Sequence, residues 1–362
     1  MGKGTLSLGD RVATVVWFLF GAGFLLAIPV LLSVSGWVLP ILLGLAVAIA
    51  LPISAIWRFA LDRRGGTTFA RRWVVVSVAS LFVLGILAAA PVYYLSATVA
   101  ARPLVAPQVT LSNGDKTIIF QGMAHVGSER FYKTVVYDLE QALADGYVAY
   151  YEGVTPDPAG DAWFSTTLAN GGNLSAEYET LGKVCGLSFQ GQYFQLLAQD
   201  IREHPDRHVV ADVSTLQLKQ EYERLIAADP DFAARVAKAA DDKKDSSDND
   251  DVLSGFLKWT QDGDGRHKAL GGIVCRGVMG MILAPRPDKK PGDMDPLILD
   301  YRNRMLVDRI VADPRKRIYV NYGFDHFRGM YDLLKRSDPK WKVMSVKWMR
   351  VIEAPEELTG QL

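Results

Sequence analysis

The sequence predicts three membrane-spanning helices followed by an α/β (or α+β) domain with a central β-sheet flanked by helices. Three observations carry this reading. The chain opens with long uncharged apolar stretches, arginines cluster in the loop between them, and β-prone and helical runs alternate after residue 108.

From Val12 to Trp57, and again from Trp73 to Ala101, there is no Asp, Glu, Lys, Arg or His. A bilayer-crossing helix needs roughly 20 apolar residues. The first stretch therefore holds two spans, near residues 12–33 and 37–57, joined by a bend at "SVSGW", and the second holds one, near 73–97. Trp17, Trp37, Trp57, Trp73, Tyr93 and Tyr94 fall at or near these ends, where amphipathic rings favour the headgroup zone. A removable signal peptide is a poor match for the first span, because its apolar core is too long and a second span follows at once. Residues 1–101 read as a membrane anchor. The spans lack the ionisable groups expected of a transport path.

Orientation follows from Arg58, Arg63, Arg64, Arg71 and Arg72, set against Asp62 alone. Positive-inside bias places that loop in the cytoplasm, with Lys3 and Arg11 in agreement. The chain is then a multi-pass protein of the cytoplasmic (inner) membrane, its N-terminus inside and everything after residue 101 periplasmic or extracellular. Lys and Arg total 40 and Asp and Glu total 40, so no basic excess points to nucleic acid.

Residues 102–107, "RPLVAP", read as a linker, and 108–362 as the folded domain. "QVTLSNGDKTIIFQG" is two β-prone runs around Asn113–Gly114, a hairpin signal. Ser128 caps a helix in which Tyr132, Val135, Val136, Leu139 and Leu143 recur at helical spacing. "YVAYYEGV" reads as a buried strand ending in Glu152, "GLSFQGQYFQLLAQDI" as a helix, "RHVVADVS" as a strand ending near Asp212, and "TLQLKQEYERLIAA" as a helix. The charged run "DDKKDSSDNDD", residues 241–251, is expected to be a mobile loop. "KRIYVNYG" is a strand, "FDHFRGMYDLLKR" a helix and "WKVMSVKWMRVI" a last strand. Cys185 and Cys275 both lie in the part placed outside, where they are free to bridge or to stand as two buried thiols.

Two segments share a pattern: "FQGMAHVGS" from Phe120 to Ser128 and "NYGFDHFRG" from Asn321 to Gly329. Each places Gly-x-x-His just after a β-prone run. His125, Glu152, Asp212 and His326 all sit at the carboxyl ends of expected strands, where α/β sheets gather reactive groups. Two imidazoles and a carboxylate, His125, His326 and Glu152, can hold a divalent metal and leave positions open for an acidified water. Gly122 and Gly323 would let the backbone turn or approach closely there. Asp212 is either a further site group or a cap for the next helix. His204, His208 and His267, in polar surroundings, are expected to be exposed.

"GMAHVGSERFY", "YYEGV" and "GFDHFRGM" resemble the TraB/TIKI superfamily, related in fold to erythromycin esterases and ChaN-like haem-binding proteins. The resemblance covers about residues 116–335 and none of the anchor. It implies that His125, Glu152 and His326 form the site together with an arginine upstream of the second motif, Arg302 in "LDYRNRM". The family has an acidic residue directly before its Arg-Asn pair, whereas this chain has Tyr301 there and Asp300 one place earlier, which makes Arg304 the alternative. The acidic run looks like an insertion relative to a minimal family domain. The resemblance implies a hydrolase acting on a peptide or small ester, with manganese or cobalt, or else zinc, as the metal, or a histidine base without one. It equally admits a non-catalytic protein that binds or shuts down a peptide pheromone signal or sequesters haem.

Overall fold

The computed structural model describes residues 7–61, 68–169, 172–244, 247–284 and 291–354. Contacts divide the chain into two compact units, one of residues up to Ala101 with Trp259–Val278, the other of Arg102–Lys258 with Met279–Ala354.

The first unit is built on α1 (Leu8–Val34), α2 (Val38–Ile56, continuing as a wider turn through Trp57–Leu61) and α3 (Phe69–Ala101). All three are long and apolar enough to cross a membrane, with mean hydropathy of 2.4 or 2.5. The first and third overrun the expected spans at both ends, because a helix does not stop where its apolar stretch stops, and the second begins one residue inside its expected span. Ser7 and Asp10 cap the start of α1 reciprocally. Small residues set the packing: Gly85 lies under the Phe24 ring and Gly23 under Ile86, positions where a Cβ would collide. The hydroxyl of Tyr93 donates to the Leu26 carbonyl (2.6 Å), and the Trp73 indole donates to that of Val47 (3.2 Å). Arg63 and Arg64 lie outside the described residues.

The second unit contains β1 (Leu104–Ser112), β2 (Thr117–Met123), β3 (Val126–Gly127), α4 (Glu129–Ala144), β4 (Val148–Tyr151), α5 (Asp161–Thr167), α6 (Leu174–Cys185) and β5 (Ser188–Phe189). There follow α7 (Gln190–Phe194), α8 (Ala198–Glu203), β6 (His208–Val210), α9 (Thr215–Ala228) and α10 (Pro230–Lys244), then α11 (Ser247–Asp262) and α12 (Gly265–Leu283), of which Trp259–Val278 is counted with the first unit. The chain closes with α13 (Arg302–Ala312), β7 (Arg317–Gly323), α14 (His326–Ser337) and β8 (Lys342–Ile352). Six strands form a mixed sheet in the order β6-β4-β7-β2-β1-β8, parallel from β6 to β2, with β1 and β8 added antiparallel.

Helices cover both faces. On one, Leu306, Val307 and Ile310 of α13 and Met330 and Leu334 of α14 pack on Ile118, Phe120, Ile318, Val320 and Tyr322. On the other, α4 buries Phe131, Tyr132 and Val135 against Leu104, Ala106 and Met123, and Val136, Leu139 and Leu143 against Ala149 and Tyr319. Ser128 caps α4, accepting from the Phe131 N–H. The Asn113–Gly114 turn joins β1 to β2, with Gly114 at φ 93° and Asn113 Oδ1 accepting from Asp115 and Lys116 N–H.

Three local expectations change. Most of the anticipated linker is strand: β1 begins at Leu104, because Leu104 and Ala106 belong to the core under α4. Pro107 fits there because β1–β2 pairing runs only from Gln108 to Ser112, so its missing N–H removes no bond to β2. The helix expected over residues 186–201 is broken, since Ser188–Phe189 pair with Gly127–Val126 instead. Helix also enters the charged run from both sides, α10 ending at Lys244 and α11 starting at Ser247; residues 245–246 lie outside the described residues. The alanine-rich "AARVAKAA" leading into that run favours continuing the helix.

Gly122 owes its identity to packing. A Cβ there would stand 2.9 Å from both Phe324 Cβ and the Pro107 carbonyl oxygen. Gly122→Ala is therefore expected to destabilise the protein by about 1–3 kcal/mol through overpacking. The check is the denaturant midpoint of the full chain, and a wild-type midpoint would refute it.

Candidate functional site

The parallel strands deliver their carboxyl ends to one edge. Glu152 follows β4, Asp212 follows β6, and Gly323 ends β7 just before His326 opens α14. Arg302, the first residue of α13, reaches Glu152, Asp212 and His326. Its Nη2 donates to Glu152 Oε1 (2.7 Å) and also to Asp212 Oδ2, and its Nε donates to Asp212 Oδ1 (3.0 Å). The second oxygen of Glu152 accepts from the Gly323 N–H at 2.6 Å. Asp212 accepts in addition from the N–H groups of Gly153 (3.0 Å) and Val213 (2.8 Å). Every charged group here is thus hydrogen-bonded, the condition under which buried charge is tolerated.

His326 is 3% exposed and completes the cluster. Its Nδ1 lies 2.9 Å from Asn303 Oδ1, and its Nε2 lies 3.5 Å from Arg302 Nη1 and 3.7 Å from Glu152 Oε1. A guanidinium can only donate and an amide oxygen can only accept, so Nδ1 carries the proton and Nε2 the lone pair. The ring stands edge-on to Tyr322, whose centroid is 5.3 Å away. Burial, with Arg302 adding to it and Glu152 opposing, lowers the His326 pKa to about 4. Burial would raise that of Glu152, but Arg302, His326 and the Gly323 N–H together hold it below the usual carboxylate range.

His125 stands differently. It is exposed at the rim, with Tyr178 stacked on one face at 4.3 Å, and its Nδ1 lies 3.0 Å from Gln190 Nε2. Although part of the ring meets solvent, the protein packed around the rest of it lowers its pKa; the charge of Glu152 acts against this and that of Arg302 with it. His125 thus feels the cluster electrostatically without a hydrogen bond into it.

The structure brings together Glu152, Asp212, Arg302 and His326, with Gly323 supplying a backbone donor, and sets His125 beside them. Gly122 is a packing position. Asp212 does not cap α9; Ser214 does. Arg304 turns away to Glu221 (2.8 Å). His208, expected to be exposed, is half-buried between Tyr151 (2.8 Å) and Asp200 (2.7 Å). His267 is half-buried beside Asp264, and His204 is exposed. Sequence reasoning missed the parts played by Asn303, Tyr178 and Gln190. Only Asn303 had a local signal, being the neighbour of Arg302.

A metal held by His125, His326 and Glu152 finds no matching donor set. The Arg302 cation already lies against Glu152 and faces His326 Nε2, and no group of three His, Cys, Asp or Glu among the described residues is placed to hold an ion. Comparisons of the chain with protein-family profiles, with curated proteins and with solved structures find no match.

The lowered His326 pKa has a consequence for stability. Between its ordinary 6.5 and about 4, the unfolded chain binds a proton that the folded chain refuses. This contribution is complete above pH 6.5 and is lost as the pH falls towards 4. Stability is expected to drop by roughly 2 kcal/mol from pH 7 to pH 5, and His326→Gln should flatten the slope. Thermal midpoints of both proteins across that range provide the check.

Proposed function

We propose that the chain is a membrane-anchored hydrolase of ester or peptide bonds, of the TraB/TIKI kind that its paired Gly-x-x-His segments resemble, acting outside the cytoplasmic membrane. The observation that carries the reading is the buried Glu152–Arg302–Asp212–His326 cluster at the carboxyl ends of parallel strands, with a neutral His125 exposed beside it. The placement outside is supported by Arg58 at the end of the second apolar helix and Arg71 and Arg72 at the start of the third, which mark that connection as the cytoplasmic one. Neither cysteine is a free thiol, which suits an oxidising compartment.

In this reading Glu152, ionised and partly open to solvent, accepts a proton from water as the water oxygen bonds to the substrate carbonyl carbon. The carbonyl electron pair moves onto its oxygen. Collapse of the tetrahedral species breaks the bond to the alcohol or amine, which leaves with the proton that Glu152 had taken. Arg302, Asp212 and His326 hold the carboxylate in place, and His125 faces the substrate. No step runs through a metal.

The test is hydrolysis of p-nitrophenyl esters and fluorogenic peptides by the full chain in nanodiscs. Glu152→Gln and His125→Ala should each lower kcat/KM by about 10²–10⁴, and the double variant should lose little more, since groups acting as a unit are non-additive. Arg302→Lys should also be damaging, because an ammonium cannot replace the guanidinium fork. Absence of turnover by the wild-type chain, or wild-type rates in the variants, overturns the reading.

A further inference from the structure

Within that proposed site, we infer that Gln190 is a positioning residue that fixes the tautomer of His125 and makes its outer nitrogen, Nε2–H, the hydrogen-bond donor to the substrate oxygen. What Nε2–H meets rests on the hydrolase reading; the tautomer itself does not.

The placement is built by the small ribbon of β3 and β5. Val126 pairs with Phe189 and Gly127 with Ser188. The pairing runs one step further, where the Gln190 N–H donates to the His125 carbonyl (3.1 Å). Backbone pairing thereby sets these two side chains next to each other, and the Gln190 amide nitrogen comes to 3.0 Å from His125 Nδ1. An amide nitrogen donates and does not accept, so Nδ1 presents its lone pair and the proton of the neutral ring sits on Nε2. Tyr178, stacked at 4.3 Å and 18°, holds the plane of the ring. Among the described residues Nε2 has no hydrogen-bond partner, and the residue is exposed.

The two histidines are therefore complementary. His326 keeps its lone pair on Nε2, facing the buried cation, while His125 keeps its proton there. A protonated Nε2 is a poor metal ligand and cannot take a proton from water. It is suited to meet negative charge developing on a carbonyl oxygen, the role usually filled by a preorganised N–H donor.

The experiment is ¹⁵N NMR of the full chain in nanodiscs with labelled histidine. The chain has five histidines, and His125 is assigned by the signal lost in His125→Ala. A protonated Nε2 and an unprotonated Nδ1 are expected. Gln190→Glu, whose carboxylate only accepts, should move the proton to Nδ1 and lower kcat by about 10²-fold with little change in KM, the loss seen when one oxyanion donor is removed. His125→Gln, which keeps an N–H donor, should retain more activity than His125→Ala. A wild-type ring protonated on Nδ1, or a Gln190→Glu protein whose tautomer is unchanged, overturns the inference. A chain that shows the Nε2–H tautomer and its reversal in Gln190→Glu, yet hydrolyses neither substrate class, supports the role of Gln190 and rejects the hydrolase reading. The two failures are thereby told apart.

Discussion

One guanidinium, that of Arg302, holds the functional edge of the sheet together. It donates to carboxylates that follow two different strands and faces the imidazole that follows a third. Without it, Glu152 and Asp212 would be two negative charges gathered at a largely buried edge, and breaking a buried ion pair by removing one partner costs about 3–5 kcal/mol. The fork geometry matters as much as the charge, because all three guanidinium nitrogens are used: Nε and Nη2 grip Asp212, Nη2 also reaches Glu152, and Nη1 faces His326. The ends of β4, β6 and β7 are thus fixed relative to α13 by charge-assisted bonds as well as by apolar packing.

The same cation occupies the place at Glu152 and His326 that a metal ion would take, and among the described residues no three His, Cys, Asp or Glu groups converge on such a position. A divalent ion would neutralise Glu152 and order the imidazoles around itself; Arg302 already neutralises the carboxylate, and Asn303 already orients His326. Burial keeps His326 neutral, and a neutral ring can accept from the guanidinium on one side while donating to the amide on the other.

Much of this was legible in the residues. Uncharged apolar stretches announced the three long helices, because no other feature of a sequence is so strongly constrained. Asn113–Gly114 announced the hairpin, and Glu152, Asp212 and His326 were placed at strand ends by β-prone runs that stop where turn residues begin. What could not be read was set by partners distant in the chain. Leu104 became strand because β8, more than two hundred residues later, pairs with it. Gln190 met His125 because β5 broke a run with helical periodicity to pair with β3. The helical turns inside the charged run show propensity prevailing over the expectation that a dense run of charge stays unstructured. Hydrogen-bond direction, and hence which imidazole nitrogen carries the proton, was out of reach of any pattern.

The parallel pairing of β2 with β7 bears on how the two Gly-x-x-His segments are related. Gly122 lies opposite Tyr322, and Gly323 lies opposite Met123. The two glycines are therefore one register step apart and belong to opposite faces of the sheet. After the first, the chain passes through His125 into a two-residue strand; after the second, His326 begins a helix. The segments match in letters but not in position, so they are not descendants of one duplicated unit that kept its geometry. An alignment that superposed the two halves of the chain on this shared pattern would lay one face of the sheet upon the opposite face, and so the α4 side upon the α13–α14 side.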